Sequence, residues 1–252
     1  MGLAGKVVLN TRPKDPFGDS DTLAGLLADA GAKVINHPVI GLKPAVLDQN
    51  RLEILSNLNK FEWLVFVSRM GVRFFEQLLV GQGLELASIG NRIAVIGEAT
   101  AEPLRSLGIE PDLIAKSATS EGLGSELVRD TNGTCFLVRA SRGSQVLGEM
   151  LSDAGRKYVE FVAYESYDVK EASQEVADTL SNEEVDWVVL TSASGADSSC
   201  RLFGDLLRTT RVAAISSEVA NVISEKCSVD AAAIARRPSF ASLVEAMDFA
   251  GD

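Results

Sequence analysis

The sequence predicts an α/β protein. Short, unbroken apolar or β-branched runs recur along the chain, and helix-period segments separate most of them, which is the signature of parallel strands buried on both faces. An internal repeat adds that the same parts come twice. In chain order the strand-like runs open near Lys6, Lys33, Trp63, Arg92, Asp112, Thr134, Lys157, Trp187, Arg211 and Asp230. "WLVFV" at Trp63 and "WVVL" at Trp187 are the most continuous of them and mark central strands.

At 252 residues and 46% hydrophobic, the chain can fill the cores of one large or two ordinary domains. Its longest apolar runs fall far short of the roughly 20 residues that span a bilayer. The N-terminus "MGLAGKVVLNTRP" enters a strand-like segment without the apolar core and cleavage site of a secretory signal. No membrane association is expected, and the expected compartment is the cytoplasm, or an organelle stroma such as the plastid's after removal of a transit peptide. A net charge of −11 argues against non-specific nucleic-acid binding, which needs a basic stripe to displace counterions. Cys135, Cys200 and Cys227 are odd in number and lack CxxC spacing, so they are expected to stay reduced as packing residues. His37 is the sole histidine and is expected to be structural, leaving no histidine-based metal site. No GxGxxG or GxxxxGK[ST] opens a helix, so no dinucleotide or P-loop cofactor is predicted.

The repeat is specific in its parts. "WLVFVSRMG" (63–71) matches "WVVLTSASG" (187–195), pairing Ser68 with Ser192 and Gly71 with Gly195. "LLADAGAKV" (26–34) matches "MLSDAGRKY" (150–158), and "TRP" at 11–13 faces "VRA" at 138–140. "RIAVIGEAT" (92–100) matches "RVAAISSEV" (211–219), where Ser216 replaces Gly97 and Val219 replaces Thr100. Each half therefore runs through five strands: an Arg-bearing strand, a second strand after an Ala-Gly turn, a Ser-Gly strand, the "RIAV" unit and a last strand. Such a unit resembles a flavodoxin-like domain, whose ligands sit outside the carboxyl ends of the strands. The matched arginines, serines and glycines all fall at those ends.

"GLKPAVLDQN" (41–50) and "YESYDVKEAS" (164–173) follow the same strand in each copy and read as linkers. If the chain crosses at both, one domain comprises residues 1–40 and 170–252, and the other residues 44–166. A single cut near residue 128 would instead give two consecutive domains. Periodicity alone leaves both arrangements open.

Taken together, "TRP" after the first strand, "VFVSRMGVRFF" (65–75), "IGEATAEPLRSLGIEPD" (96–112), "ATSEGL" (118–123), "VRASRG" (138–143), "VAYES" around Tyr164 and "VVLTSASG" (188–195) resemble the uroporphyrinogen-III synthase family over nearly the whole chain. The resemblance implies two flavodoxin-like domains joined by a two-stranded linker, with the substrate in the cleft between them. It implies a lyase that dehydrates and cyclises hydroxymethylbilane with inversion of ring D, needing no metal or redox cofactor and working as a monomer. Tyr164 is implied as the donor near the leaving hydroxyl. It is single-copy, since Ile40 takes the matching place in the other half.

A linear tetrapyrrole carries an acetate and a propionate on every ring, so its site needs arginine forks and helix N-terminal N–H groups. Arg12, Arg69, Arg139 and Arg142 are the candidate carboxylate receptors. Ser68, Gly97, Thr100, Ser192 and Ser194 are candidate substrate contacts, with helix capping as the simpler alternative for the hydroxyls. Thr119, Ser120 and Glu121 read as a plain helix start. At 216–219, where the expected glycine is missing, a ligand contact is doubtful, and Glu218 would repel a carboxylate. A hinged, two-lobed small-molecule binding protein is the competing reading. A pair of receiver-like domains is disfavoured, because "NTRPK" puts basic residues where that fold needs acids.

Overall fold

The computed structural model describes residues 2–18 and 20–250. Its strands are β1 (Val7–Asn10), β2 (Lys33–Asn36), β3 (Ile40–Pro44), β4 (Trp63–Phe66), β5 (Arg92–Val95) and β6 (Leu113–Ile114). They continue with β7 (Cys135–Ala140), β8 (Tyr158–Asp168), β9 (Trp187–Leu190), β10 (Arg211–Ala214) and β11 (Ala231–Ile234). The α-helices are α1 (Thr22–Asp29), α2 (Gln49–Leu55), α3 (Arg69–Val80), α4 (Glu98–Ser106) and α5 (Ser120–Asp130). After these come α6 (Val146–Asp153), α7 (Gln174–Ser181), α8 (Ala193–Phe203), α9 (Ser217–Cys227) and α10 (Phe240–Ala250). No described helix is long and apolar enough to cross a membrane.

The chain divides into two compact units. Unit 1 is residues 1–42 with 167–252, and unit 2 is residues 43–166. Unit 1 carries a sheet in the order β11-β10-β9-β1-β2, and unit 2 one in the order β3-β8-β7-β4-β5-β6. Apart from β3, both sheets have the same doubly wound order, in which two strands run one way from a reversal point and three run the other. In unit 1 the pair β1-β2 comes from the first copy of the repeat and the triple β9-β10-β11 from the second. In unit 2 the exchange is reversed: β7-β8 join β4-β5-β6. The copies have traded their opening strand pairs.

Strand alternation explains how each sheet is covered on both faces. In unit 1, Val8, Trp187 and Val189 pack against Leu23 and Leu27 of α1 and Leu243 and Met247 of α10. Their neighbours Leu9, Val188 and Leu190 pack on the other face against α7, α8 and α9. In unit 2, Trp63, Val65, Cys135 and Leu137 meet α5 and α6 through Leu123, Leu127, Leu147 and Leu151. The opposite face is aromatic, with Phe75 of α3 5.7 Å from both Phe136 and Phe161.

At the amino ends of the strands the repeat survives as a stacked pair. Arg92 lies 4.0 Å from the centre of the Trp63 ring and Arg211 4.3 Å from that of Trp187, across registered strand neighbours. Each contact contributes on the order of 0.5–1 kcal/mol.

The start of "GLKPAVLDQN" lies in the strand β3, one of the two strands of the expected two-stranded linker. It runs antiparallel along β8: the Val169 N–H donates to the Val39 carbonyl at 3.0 Å, and the Ala45 N–H to the Ala163 carbonyl at 3.0 Å. Pro44 ends the strand at the sheet's edge, where a residue that donates no ladder bond is tolerated. The matching "YESYD" likewise completes β8. Cysteine usage is a correction, because all three cysteines were expected to stay reduced. Cys200 and Cys227 form a disulfide, Cα to Cα 5.6 Å, while Cys135 is free and buried. The bonded cysteines lie 27 residues apart on α8 and α9, which pack side by side, and nothing in their spacing announces that neighbourhood.

Candidate functional site

The two Ser-Gly turns have nearly identical geometry. Ser68 (φ −163°, ψ 153°) leaves β4 extended and caps α3, its Oγ accepting the Gly71 N–H at 3.0 Å. Ser192 (φ −158°, ψ 153°) leaves β9 and caps α8, accepting the Gly195 N–H at 3.1 Å. The glycine three residues on gives this turn room. A Cβ at Gly71 or Gly195 would lie 3.2 Å or 3.0 Å from the capping Oγ. Ser194 stands on the first turn of α8, its Oγ 3.4 Å from that of Ser192. The simpler reading of Ser68 and Ser192 as caps is thus realised, worth about 1 kcal/mol each.

The β5–α4 and β10–α9 turns differ. Gly97 begins α4 with no side-chain cap, and a Cβ there would meet the Ala118 Cβ at 3.0 Å. Ser216, its counterpart, caps α9 by accepting the Val219 N–H at 3.3 Å. The glycine lost from the second copy has been replaced by a hydroxyl that satisfies the helix end internally. Thr100 is buried in the first turn of α4, and Glu218 is exposed in that of α9.

Tyr164 reaches its position through an irregularity in β8. Phe161 and Tyr164 are three residues apart and would face opposite sides of a regular strand. Yet Phe161 packs on Phe75 and Tyr164 on Phe74, both from α3. The β7–β8 register supplies the reason: Arg139 faces Val162 and Ala140 faces Tyr164, so Ala163 is passed over. This bulge turns Tyr164 to the α3 side, as bulges beside functional sites commonly do. The Tyr164 ring stacks on Phe74 with centroids 4.9 Å apart and 13° between planes, and its hydroxyl lies 3.2 Å from Ser68 Oγ. Burial raises the phenol above its ordinary range, partly offset by the Ser68 hydrogen bond, so it remains protonated at neutral pH.

The four arginines separate into different settings. Arg69 is the first residue of α3, half-buried, and Arg142 is exposed in the loop after β7. Arg12 lies beyond β1 with its Nε 3.3 Å from Asp21, the cap of α1, and its guanidinium 4.3 Å from the Phe240 ring centre. Arg139, expected to meet a substrate carboxylate, is instead occupied by the protein. Its side chain is only 8% exposed, bonds Glu160 at 2.7 Å and Gln145 at 2.9 Å, and donates to the Gly143 carbonyl at 2.9 Å. It fixes the loop that carries Arg142. The motif "VRASRG" does not reveal this, because Glu160 comes from another strand.

The structure therefore gathers Ser68 and Tyr164 in unit 2, with Arg69 next to Ser68 in sequence, and Ser192 and Ser194 in unit 1. Phe74 was not among the predicted site residues. Its place in "SRMGVRFF" reads as ordinary helix core, and only the bulge in β8 brings Tyr164 onto it. His37, half-buried 6.0 Å from the Phe203 ring, has its imidazole pushed to lower pKa by burial. Among the described residues no three His, Cys, Asp or Glu side chains are grouped to hold a metal ion.

Comparison with known proteins identifies the lineage. Residues 21–245 match the family model described as uroporphyrinogen-III synthase HemD. The uroporphyrinogen-III synthase of Synechococcus elongatus is 26% identical over 229 residues, covering 90% of this chain and 86% of that protein. The porphyrin biosynthesis protein HemD of Ruminiclostridium josui is 23% identical over 241 residues, and the match covers 90% of this chain but only 47% of that protein, so the chain spans about half its length. Among solved structures, the Helicobacter pylori uroporphyrinogen-III synthetase aligns with a TM-score of 0.66 over 96% of this chain and 97% of that one. A mutant Thermus thermophilus uroporphyrinogen III synthase aligns at 0.62 over 98% of both chains. At 16% identity each of these shares the fold. With the family model spanning most of its length, this chain belongs to the uroporphyrinogen-III synthase family.

Proposed function

We propose that the protein converts hydroxymethylbilane into uroporphyrinogen III, closing the linear tetrapyrrole with loss of water and inversion of ring D. Family membership supports the reaction, and the buried Tyr164 phenol beside Ser68 is the observation that carries the assignment of its chemistry to unit 2. In this reading Tyr164 donates its proton to the leaving hydroxyl. The C–O bond breaks with its electron pair on oxygen, water departs, and pyrrole nitrogen stabilises the resulting azafulvene cation. The substituted α-carbon of ring D attacks first, giving a spiro intermediate that reopens and recloses in the inverted sense. Choosing that carbon over the free one is a task of positioning, which holds the chain curled with the right atoms near.

Carboxylate recognition falls to Arg12, Arg69 and Arg142, hydroxyl and backbone contacts to Gly97, Thr100, Ser192 and Ser194, and Ser68 stands against the Tyr164 hydroxyl. Arg139 contributes by ordering the Arg142 loop. The reading takes the monomer as the working unit, as the family resemblance implies. Incubation with hydroxymethylbilane, followed by oxidation and chromatographic separation of porphyrin isomers, tests the proposal. The type III isomer is the expected product. Accumulation of type I alone, the product of unassisted closure, would reject the synthase in favour of a non-catalytic binding protein.

A further inference from the structure

The hydroxyls of Ser68 and Tyr164 have two hydrogens between them and a constrained set of acceptors. Ser68 Oγ already accepts the Gly71 N–H at 3.0 Å, which fixes its position at the helix end. One hydroxyl hydrogen fills the 3.2 Å contact between the two oxygens, leaving one O–H to point elsewhere. If Tyr164 donates to Ser68, the outward hydrogen belongs to the serine. If Ser68 donates to Tyr164, it belongs to the phenol, and the phenol oxygen already has a donor in place. The second arrangement suits a proton donor, because a phenolate generated at a buried site needs a hydrogen bond to offset lost solvation. Phe74, 1% exposed and stacked on the ring, prevents the phenol from swinging off this line.

We propose that Ser68 is a positioning residue for the dehydration step: it donates to the Tyr164 oxygen, turns the phenol hydrogen toward the leaving hydroxyl, and stabilises the phenolate left behind. Phe74 holds the ring in that alignment. The inference rests on the reading of Tyr164 as proton donor. The proton lost by Tyr164 leaves in the departing water, and the phenolate regains one from the ring carbon that is deprotonated when the macrocycle closes.

Tyr158, Tyr164 and Tyr167 are the three tyrosines, so 13C labelling at the tyrosine ζ carbon gives a spectrum in which Tyr164 is assigned by its loss in Tyr164→Phe. Titrated without substrate, Ser68→Ala is expected to move the Tyr164 transition to higher pH by about one pH unit, and Ser68→Thr to restore it. With hydroxymethylbilane, Ser68→Ala is expected to lower kcat about tenfold with KM within about twofold, and the threonine variant to recover most of the loss. Thr119→Ala removes a comparable cap from α5 in the same unit and controls for lost helix stability, with turnover retained. An unchanged Tyr164 titration in folded Ser68→Ala overturns the positioning role and leaves the synthase reading standing. A shifted titration with unchanged kcat also overturns it. Full turnover by Tyr164→Phe would instead remove the reading of Tyr164 on which it depends.

Discussion

The two copies of one βα pattern are nearly superposable in local form at Ser68 and Ser192, yet their surroundings have diverged. In unit 2 the capping serine meets a tyrosine, and α4 begins at an uncapped glycine. In unit 1 the corresponding serine meets Ser194, Ile40 stands where Tyr164 does, and Ser216 seals the next helix end with its own side chain. Unit 1 also bears the Cys200–Cys227 disulfide, for which unit 2 has Glu76 and Gly108 at the matching places. Duplication supplied two equivalent frames. At the matched turns, unit 2 holds a serine–tyrosine contact and an uncapped helix start, while unit 1 holds internal caps and a disulfide.

The largest expected difference between the units is in turnover. Tyr164→Phe keeps the stacked ring but removes the proton, and kcat should fall about 10²-fold, the lower end for loss of a general acid. Retention of full turnover, measured by the isomer assay, would put the two units back on equal footing.

Stability should separate them in the other direction. Loss of the disulfide by Cys200→Ser or by reductant should cost unit 1 about 3.5 kcal/mol, as expected when a closed loop of 27 residues is released. Trp63 in unit 2 and Trp187 in unit 1 are the two tryptophans, so single-tryptophan variants report each unit during urea unfolding. The Trp187 transition should shift and the Trp63 transition should not. Cys135, whose thiol burial pushes to about 11, should resist alkylation until unit 2 unfolds.

A smaller effect is expected from exchanging the two turns. Ser216→Gly should cost a few tenths of a kcal/mol, because glycine is itself a tolerable cap, and leave turnover nearly intact. Gly97→Ser forces a Cβ against Ala118, and a severalfold loss of turnover is expected. A clear loss of turnover in Ser216→Gly would mean that the sealed turn of unit 1 has a specialised task.

The smallest effect concerns pH. His37 is held below its ordinary value of 6.5 by burial. The unfolded chain gains a proton as pH falls through about 6.5 while the folded chain does not, so stability declines from there downward and levels off once folded His37 also protonates. His37→Gln should flatten that slope in urea midpoints measured between about pH 7 and pH 5.5.

How much of this was legible in the sequence follows from the range of the interactions involved. Strand runs and Ser-Gly turns are local, so "WLVFVSRMG" and "WVVLTSASG" announced both their strands and their caps. The loss of glycine at Ser216 was equally visible, although its replacement by an internal cap needed the backbone. Three features depend on which distant segment comes alongside: the disulfide across α8 and α9, the capture of Arg139 by Glu160, and the bulge at Ala163. The last matters most, since alternation counted from Phe161 would have turned Tyr164 away from α3.

The exchanged strand pairs bear on how the protein is made. Unit 2 is continuous in sequence and has all its strands once residue 166 has left the ribosome. Unit 1 must wait: the Val7 N–H bonds to Asp186, 179 residues later. At roughly 5–20 residues per second that interval is on the order of 10–35 s. During it the hydrophobic strands "KVVLN" and "AKVIN" have no sheet to join, and they are the segments a nascent-chain chaperone would be expected to shield.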